Sequence, residues 1–251
     1  MSLVARDGLT VVSASVFEVR MTPLVGLRCF MIGVDSTVRP GDFLLDFHDV
    51  DGNLLQSEQV NVPSRTFSRL EIPLSASLSN LRLRDDEEKT RETRVLTDLI
   101  LSADPRAVYQ FGPLEVPVSD ARTTSAFGDR RTYRYADGQT AATVHVGVDL
   151  ALPTGTPVLS PGAGVVRMAR TRIVTGNTVV IEHLPGFFSL AYHLDSLAVE
   201  EGEIVRTRDL IGTVGMSGLA TGPHLHWELR VAGVPVEPAL DDSHSHLDNP
   251  E

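Results

Sequence analysis

The chain has one cysteine in 251 residues, Cys29, so an intrachain disulfide framework is excluded. Its place in the apolar run Leu27 to Ile32 makes a buried thiol the expectation. No segment approaches the run of about 20 apolar residues that a helix needs to cross a bilayer. Positive charge is also scarce: 22 Lys and Arg face 33 Asp and Glu, for a formal net charge of -11. With no basic stretch interleaved with aromatics, a nucleic-acid backbone is excluded as a partner. Helical periodicity is rare, whereas 20 glycines and 15 prolines punctuate the chain; this combination predicts a mainly β protein with many turns. The N-terminal residues Met1 to Gly8 show neither a basic n-region nor a long apolar h-region, so they do not read as a secretory signal. The length suits two modest domains.

In the first hundred residues apolar side chains recur as in strands. Val12, Val16, Phe17, Val19 and Met21 are followed by the run Leu27 to Val34, then by the alternating Phe43, Leu45 and Phe47. Asp49-Val50-Asp51-Gly52-Asn53 reads as a hairpin turn with Gly52 free to take positive φ, and Leu54 to Val62 returns from it. Leu70, Ile72 and Leu74 supply another edge or sandwich strand. The spacing predicts a small antiparallel sandwich, with His48 as a solvated loop histidine. Asp85-Asp86-Glu87-Glu88-Lys89 reads as the acidic first turn of a helix with the apolar face Val95, Leu96, Leu99 and Ile100, stopped at Asp104-Pro105. A boundary is placed there. It divides the chain into residues 1–105, an N-terminal β-sandwich-like unit ending in a helix; 106–240, a compact β-sheet or barrel-like unit; and 241–251, an acidic tail in which His244 and His246 are expected to be solvated.

The reactive residues lie in the second unit. In Thr221-Gly222-Pro223-His224-Leu225-His226-Trp227-Glu228-Leu229 a histidine stands at every second position after a turn. On a strand both imidazoles then leave one face, with Trp227, Leu229 and Val231 half-buried on the other. In His145-Val146-Gly147-Val148-Asp149 the histidine and carboxylate are four apart, so an extended strand would place both on one face with Gly147 removing the side chain between them. One imidazole from the later pair completes a His, Asp, His set without thiolate. That is the composition of a catalytic zinc site whose fourth position stays open to water. With His226 as the ligand, His224 lies two residues away, placed to donate to a developing oxyanion or to exchange a proton. His193, in Ser189 to Asp195, would alone be structural.

HVGVD at 145–149, AYHLDSL at 191–197, IGTVGMSG at 211–218 and TGPHLHWEL at 221–229 resemble, in order and spacing, the lysostaphin-type (LytM-like) zinc endopeptidases of bacterial cell walls. The likeness takes in SAFGDR at 125–130, GTPV at 155–158, GNTVVIEH at 176–183 and Val236-Glu237-Pro238, so it spans about residues 118–240. VGLRCFMIGVD, PGDF and FGPLEVPV more weakly resemble an N-terminal sandwich that precedes the peptidase domain in some exported members.

The resemblance implies the lysostaphin-type fold (the duplicated hybrid motif) with zinc held by His145, Asp149 and His226. It makes His193 and His224 the catalytic pair that polarises the scissile carbonyl and stabilises the tetrahedral intermediate. The implied substrate is a peptide bond in peptidoglycan cross-links or stem peptides, and the implied location is the periplasm or cell envelope, with the signal expected to be missing from the sequence. A tyrosine often stands two residues before the catalytic histidine, where this chain has Ala191, with Tyr192 shifted by one. His183 also has a counterpart in the family and is expected to be structural or at the rim. The alternatives are a non-catalytic scaffold that regulates another wall hydrolase, and a lipoyl-carrier-like swivelling domain. The latter lacks a lysine at the hairpin tip. The N-terminal unit is expected to act as spacer, wall-binding module or lid.

Overall fold

The computed structural model describes residues 2–5, 14–22, 25–48, 51–110 and 112–239, with side chains from residue 31 onward. The Cys29 side chain, Asp49 and Val50 of the expected hairpin turn, and the tail bearing His244 and His246 lie outside the described residues. The protein is mainly β.

Its centre is an antiparallel sheet in the order Ile204–Val205, Gly164–Arg172, Gly176–Leu184, Phe187–Leu194, His224–Val231, Val148–Ala151 and Arg122–Ser125, with Val234–Val236 also paired to His224–Val231. A smaller sheet of Pro157–Leu159, Leu210–Thr213 and Ser196–Leu197 packs over one face. Val158, Ile211 and Val214 from this side meet Leu150, Val179, Ile181, Leu225 and Trp227 from the large sheet, all nearly inaccessible. Strand alternation then sends Asp149, Tyr192 and His226 to the opposite face, because Asp149 and Tyr192 are the cross-strand partners of His226.

That opposite face is not open along its length. The helix Glu87–Leu101, capped by Asp86, whose side chain accepts from the Glu88 N–H, lays Leu96, Leu99 and Ile100 on Met168, Val180, Phe188, Leu190 and Tyr192. The strand His224–Val231 is also largely buried on both faces, His226 and Glu228 included, rather than half-buried as its alternation suggested.

Two elements before residue 106 depart from the sandwich expectation. Arg69–Pro73, which holds Leu70 and Ile72, does not pair with the earlier strands. It runs parallel to Arg130–Arg134, in a sheet completed by Thr140–Val144. A second helix, Ala76–Leu83, starts at Ser75, whose hydroxyl accepts from Leu78 N–H. It is docked by Ser79, buried and accepting from the Ala136 N–H at 3.0 Å. Earlier in the chain Gly41–His48 pairs with Leu54–Val62 as expected and buries Phe43 and Leu45. No helix among the described residues is long and apolar enough to cross a membrane.

Candidate metal centre

His145 follows the strand Thr140–Val144, and the chain turns through Val146 and Gly147 before re-entering a different sheet at Val148. His145 and Asp149 therefore do not share one strand face, contrary to the sequence expectation; a bend between two sheets brings them together. The bend needs glycine at position 147. A Cβ there would press into the Trp227 carbonyl and come 2.8 Å from Glu228 Cγ and 3.0 Å from His226 Nε2.

Three atoms converge: His145 Nε2, Asp149 Oδ1 and His226 Nδ1. Their separations are 3.1 Å (His145–Asp149), 3.0 Å (His145–His226) and 2.7 Å (Asp149–His226). Tetrahedral ligands bonded at about 2.0–2.1 Å stand roughly 3.3 Å apart, so small side-chain adjustments would admit an ion. Among the described residues this is the one cluster of three His, Cys, Asp or Glu side chains with that potential.

Each of the three side chains is held through its other polar atom by a partner to which the sequence reading assigned no role. His145 Nδ1–H donates to the Ala126 carbonyl at 2.9 Å, which fixes the tautomer and leaves Nε2 as the lone pair. His226 Nε2–H donates to the buried Glu228 carboxylate at 3.0 Å, and Arg230 Nε holds the other Glu228 oxygen at 2.8 Å. Asp149 Oδ2 is taken by Arg131, leaving Oδ1 to the histidines. Ser125 links this shell, accepting from Arg131 and donating to Asp129 at 2.9 Å.

The electrostatics follow. Burial by itself would raise the Asp149 carboxyl, but hydrogen bonds and charge from His145 and His226 hold it well below the ordinary range. Burial would lower the His226 imidazole, yet Asp149 and Glu228 on its two nitrogens raise it to about 9. His145 is lowered, chiefly by burial.

His193 and His224 complete one side of the cleft, with ring centroids 4.9 Å apart and the His193 ring 6.2 Å from that of His226. His193 reaches it through a β-bulge. Val179 pairs with Ala191 and Asn177 with Leu194, so Tyr192 and His193 together oppose Thr178, and His193 takes φ 61°. The extra residue re-aims His193 to the face Tyr192 already occupies. Tyr192, displaced by one from the family position, stacks on the His226 ring at 5.3 Å and is buried. His193 Nδ1–H donates to the Ser217 carbonyl at 2.7 Å and His224 Nδ1–H to the Gly222 carbonyl at 2.8 Å. Both Nε2 atoms are thereby left as lone pairs.

The other described histidines stay apart. His48 Nδ1 donates to the Gly52 carbonyl at 3.1 Å. His183 is fully buried, with Nδ1 on the Ala163 carbonyl and Nε2 on Ser189 Oγ; it is structural and not at the rim. Burial pushes its pKa from 6.5 down to about 4. A base depressed on folding contributes its full stability above the unfolded value and loses it as pH falls from 6.5 to about 4, a span worth roughly 3 kcal/mol. His183→Gln should flatten that part of the pH–stability curve in urea denaturation. A curve parallel to wild type would show that His183 does not titrate with unfolding.

The cleft has a volume of ≈ 270 Å³. Besides the five residues above it is lined by Val174, Thr175 and Leu219, and by Ile72, Leu74, Arg82 and Tyr133.

Residues 143–238 match the sequence profile of Peptidase family M23. The peptidoglycan DD-endopeptidase ShyA of Vibrio cholerae is 46% identical over 92 residues, 37% of this chain and 21% of that protein. The DD-carboxypeptidase/endopeptidase Mpg of Neisseria meningitidis serogroup B is 37% identical over 136 residues, 54% of this chain and 30% of that protein. The match thus spans less than a third of either relative. A crystal structure from Pseudomonas aeruginosa, described as peptidase M23, superposes with a TM-score of 0.61 at 27% identity, covering 89% of this chain and 82% of that one.

Proposed function

Because residues 143–238 match Peptidase family M23, we propose that the chain is a zinc-dependent endopeptidase that hydrolyses peptide bonds in peptidoglycan cross-links or stem peptides, in the periplasm or cell envelope. The observation that supports this best is the convergence of His145 Nε2, Asp149 Oδ1 and His226 Nδ1 beside two further imidazoles in one cleft. Two nitrogens and one oxygen without thiolate suit zinc with an open position. When bound, zinc would acidify a water and polarise the scissile carbonyl.

The rest falls to the chain's own side chains. His193 and His224 each spend Nδ1–H on a backbone carbonyl, so their Nε2 atoms enter the reaction as acceptors. Each can take a proton from the attacking water and, once protonated, donate to the oxyanion or return the proton to the leaving amine. This adds a proton-accepting role to the stabilisation of the tetrahedral intermediate that the resemblance implies for both. Arg131 and Glu228 orient the ligands. In this reading residues 106–240 are the peptidase domain, and residues 1–105 are an accessory unit that contributes Ile72, Leu74 and Arg82 to the lining of its cleft. A purely regulatory scaffold would have no need of all five site residues.

The test is hydrolysis of cross-linked peptidoglycan dimers by zinc-loaded protein. His193→Ala and His224→Ala should keep their zinc while kcat drops by about 10²–10⁴-fold. Dimers left uncut by zinc-loaded wild type would end the reading.

A further inference from the structure

Part of the cleft lining comes from outside the matched domain and includes a cation. Arg82, in the last turn of the helix Ala76–Leu83, lines the cleft that holds His145, Asp149 and His226. Its guanidinium lies 4.2 Å from the centroid of the Tyr133 ring, and its Nε–H donates to Tyr135 Oη at 3.1 Å. The helix beneath it is fixed by the buried Ser79. The group is therefore oriented before any ligand arrives, which lowers the entropy cost of using it.

Among the described residues no carboxylate pairs with Arg82. The nearby acids are committed elsewhere: Glu71 to Arg134, Asp86 to Arg84, Asp149 to Arg131 and Glu228 to Arg230. An arginine stacked on a tyrosine, lining a cleft and without a carboxylate partner among the described residues, offers a planar fork that matches a carboxylate.

The geometry points to Arg82 as the anchor for a free carboxylate of the peptide substrate, a specificity-determining contact supplied by the segment preceding the M23 domain. The inference rests on the peptidase reading above for the nature of the substrate. A stem peptide ends in a carboxylate, and capture of that group by Arg82 would set which amide lies at His193 and His224. Arg82 is a positioning residue and moves no proton.

The experiment is calorimetric titration of the zinc-loaded full chain with an uncross-linked stem peptide, supplied as the C-terminal free acid and as the C-terminal amide. Wild type should bind the acid about 10- to 100-fold more tightly than the amide, the range for a hydrogen bond between charged groups. Arg82→Gln should lose this preference and Arg82→Lys should keep part of it. Any attraction of zinc for the carboxylate is common to all three proteins and drops out of the comparison. An unchanged acid preference in Arg82→Gln, or none in wild type, overturns the anchor whether or not cross-linked dimers are cut. Loss of the preference in Arg82→Gln together with uncut dimers upholds the anchor and removes the peptidase reading.

Discussion

Asp149→Ala is expected to abolish zinc binding and, separately, to destabilise the protein by about 3–5 kcal/mol. The two effects come from the two oxygens of one carboxylate. Oδ1 stands 3.1 Å from His145 Nε2 and 2.7 Å from His226 Nδ1, where a cation would be held. Oδ2 compensates the Arg131 guanidinium, and both side chains of that pair are nearly buried, at 10% and 12% exposure. Removing an outer partner of a metal ligand already costs roughly 10–100-fold in affinity, so loss of the ligand itself should exceed that. The stability loss arises because Arg131 would remain buried without a counter-charge. Asp149→Asn separates the effects: its amide oxygen can still accept from Arg131, so it should lose zinc with a smaller loss of stability. Elemental analysis and urea denaturation read the two quantities. Stoichiometric zinc in Asp149→Ala would disprove the assignment of the ligands, and unchanged stability would disprove the role given to Arg131.

The second large effect is expected from Gly147→Ala, one added methyl. The strand His224–Val231 cannot retreat from it, being paired on one side with Phe187–Leu194 and on the other with Val148–Ala151. Trp227, whose carbonyl meets the new methyl, is 1% exposed. The turn from His145 to Gly147 must move instead, which draws His145 Nε2 away from Asp149 and His226. Overpacking of this kind costs about 1–3 kcal/mol, a fall in Tm of about 3–10 °C for a chain of this size. Zinc affinity should fall by at least about tenfold, since the metal then lacks one well-placed ligand. Wild-type Tm and zinc content in this variant would show that the bend has slack that the close contacts at position 147 do not suggest.

Much of the centre was legible in the sequence because strand periodicity is local. Alternation placed His226 and Trp227 on opposite faces of their strand, and the structure keeps them so, with Asp149 the cross-strand partner of His226. The helix start at Asp86 was legible too, since its carboxylates meet the helix dipole within the first turn. The resemblance to lysostaphin-type enzymes picked out all five residues that the fold gathers into the cleft.

What the sequence could not decide were the contacts between distant segments. His145 was placed on the strand of Asp149, yet it stands at a bend between sheets, because the strand that precedes it pairs with Arg130–Arg134 rather than with the central sheet. The bulge that turns His193 into the site depends on one extra residue opposite Thr178, a matter of register with another strand. Arg131 and Glu228 carry no local signal, since each matters only through the partner that folding brings to it. Arg69–Pro73 alternates like any edge strand, and nothing local specifies a parallel pairing with Arg130–Arg134 some sixty residues on. By itself the sequence determined most strands, the acidic start of the helix and the residue types of the centre, because backbone geometry and side-chain chemistry act over a few residues. The tertiary structure alone decided which atoms of those side chains meet, which outer groups hold them, and that Arg82 lines the same cleft. Those relations are set by pairing and burial between segments far apart in the chain.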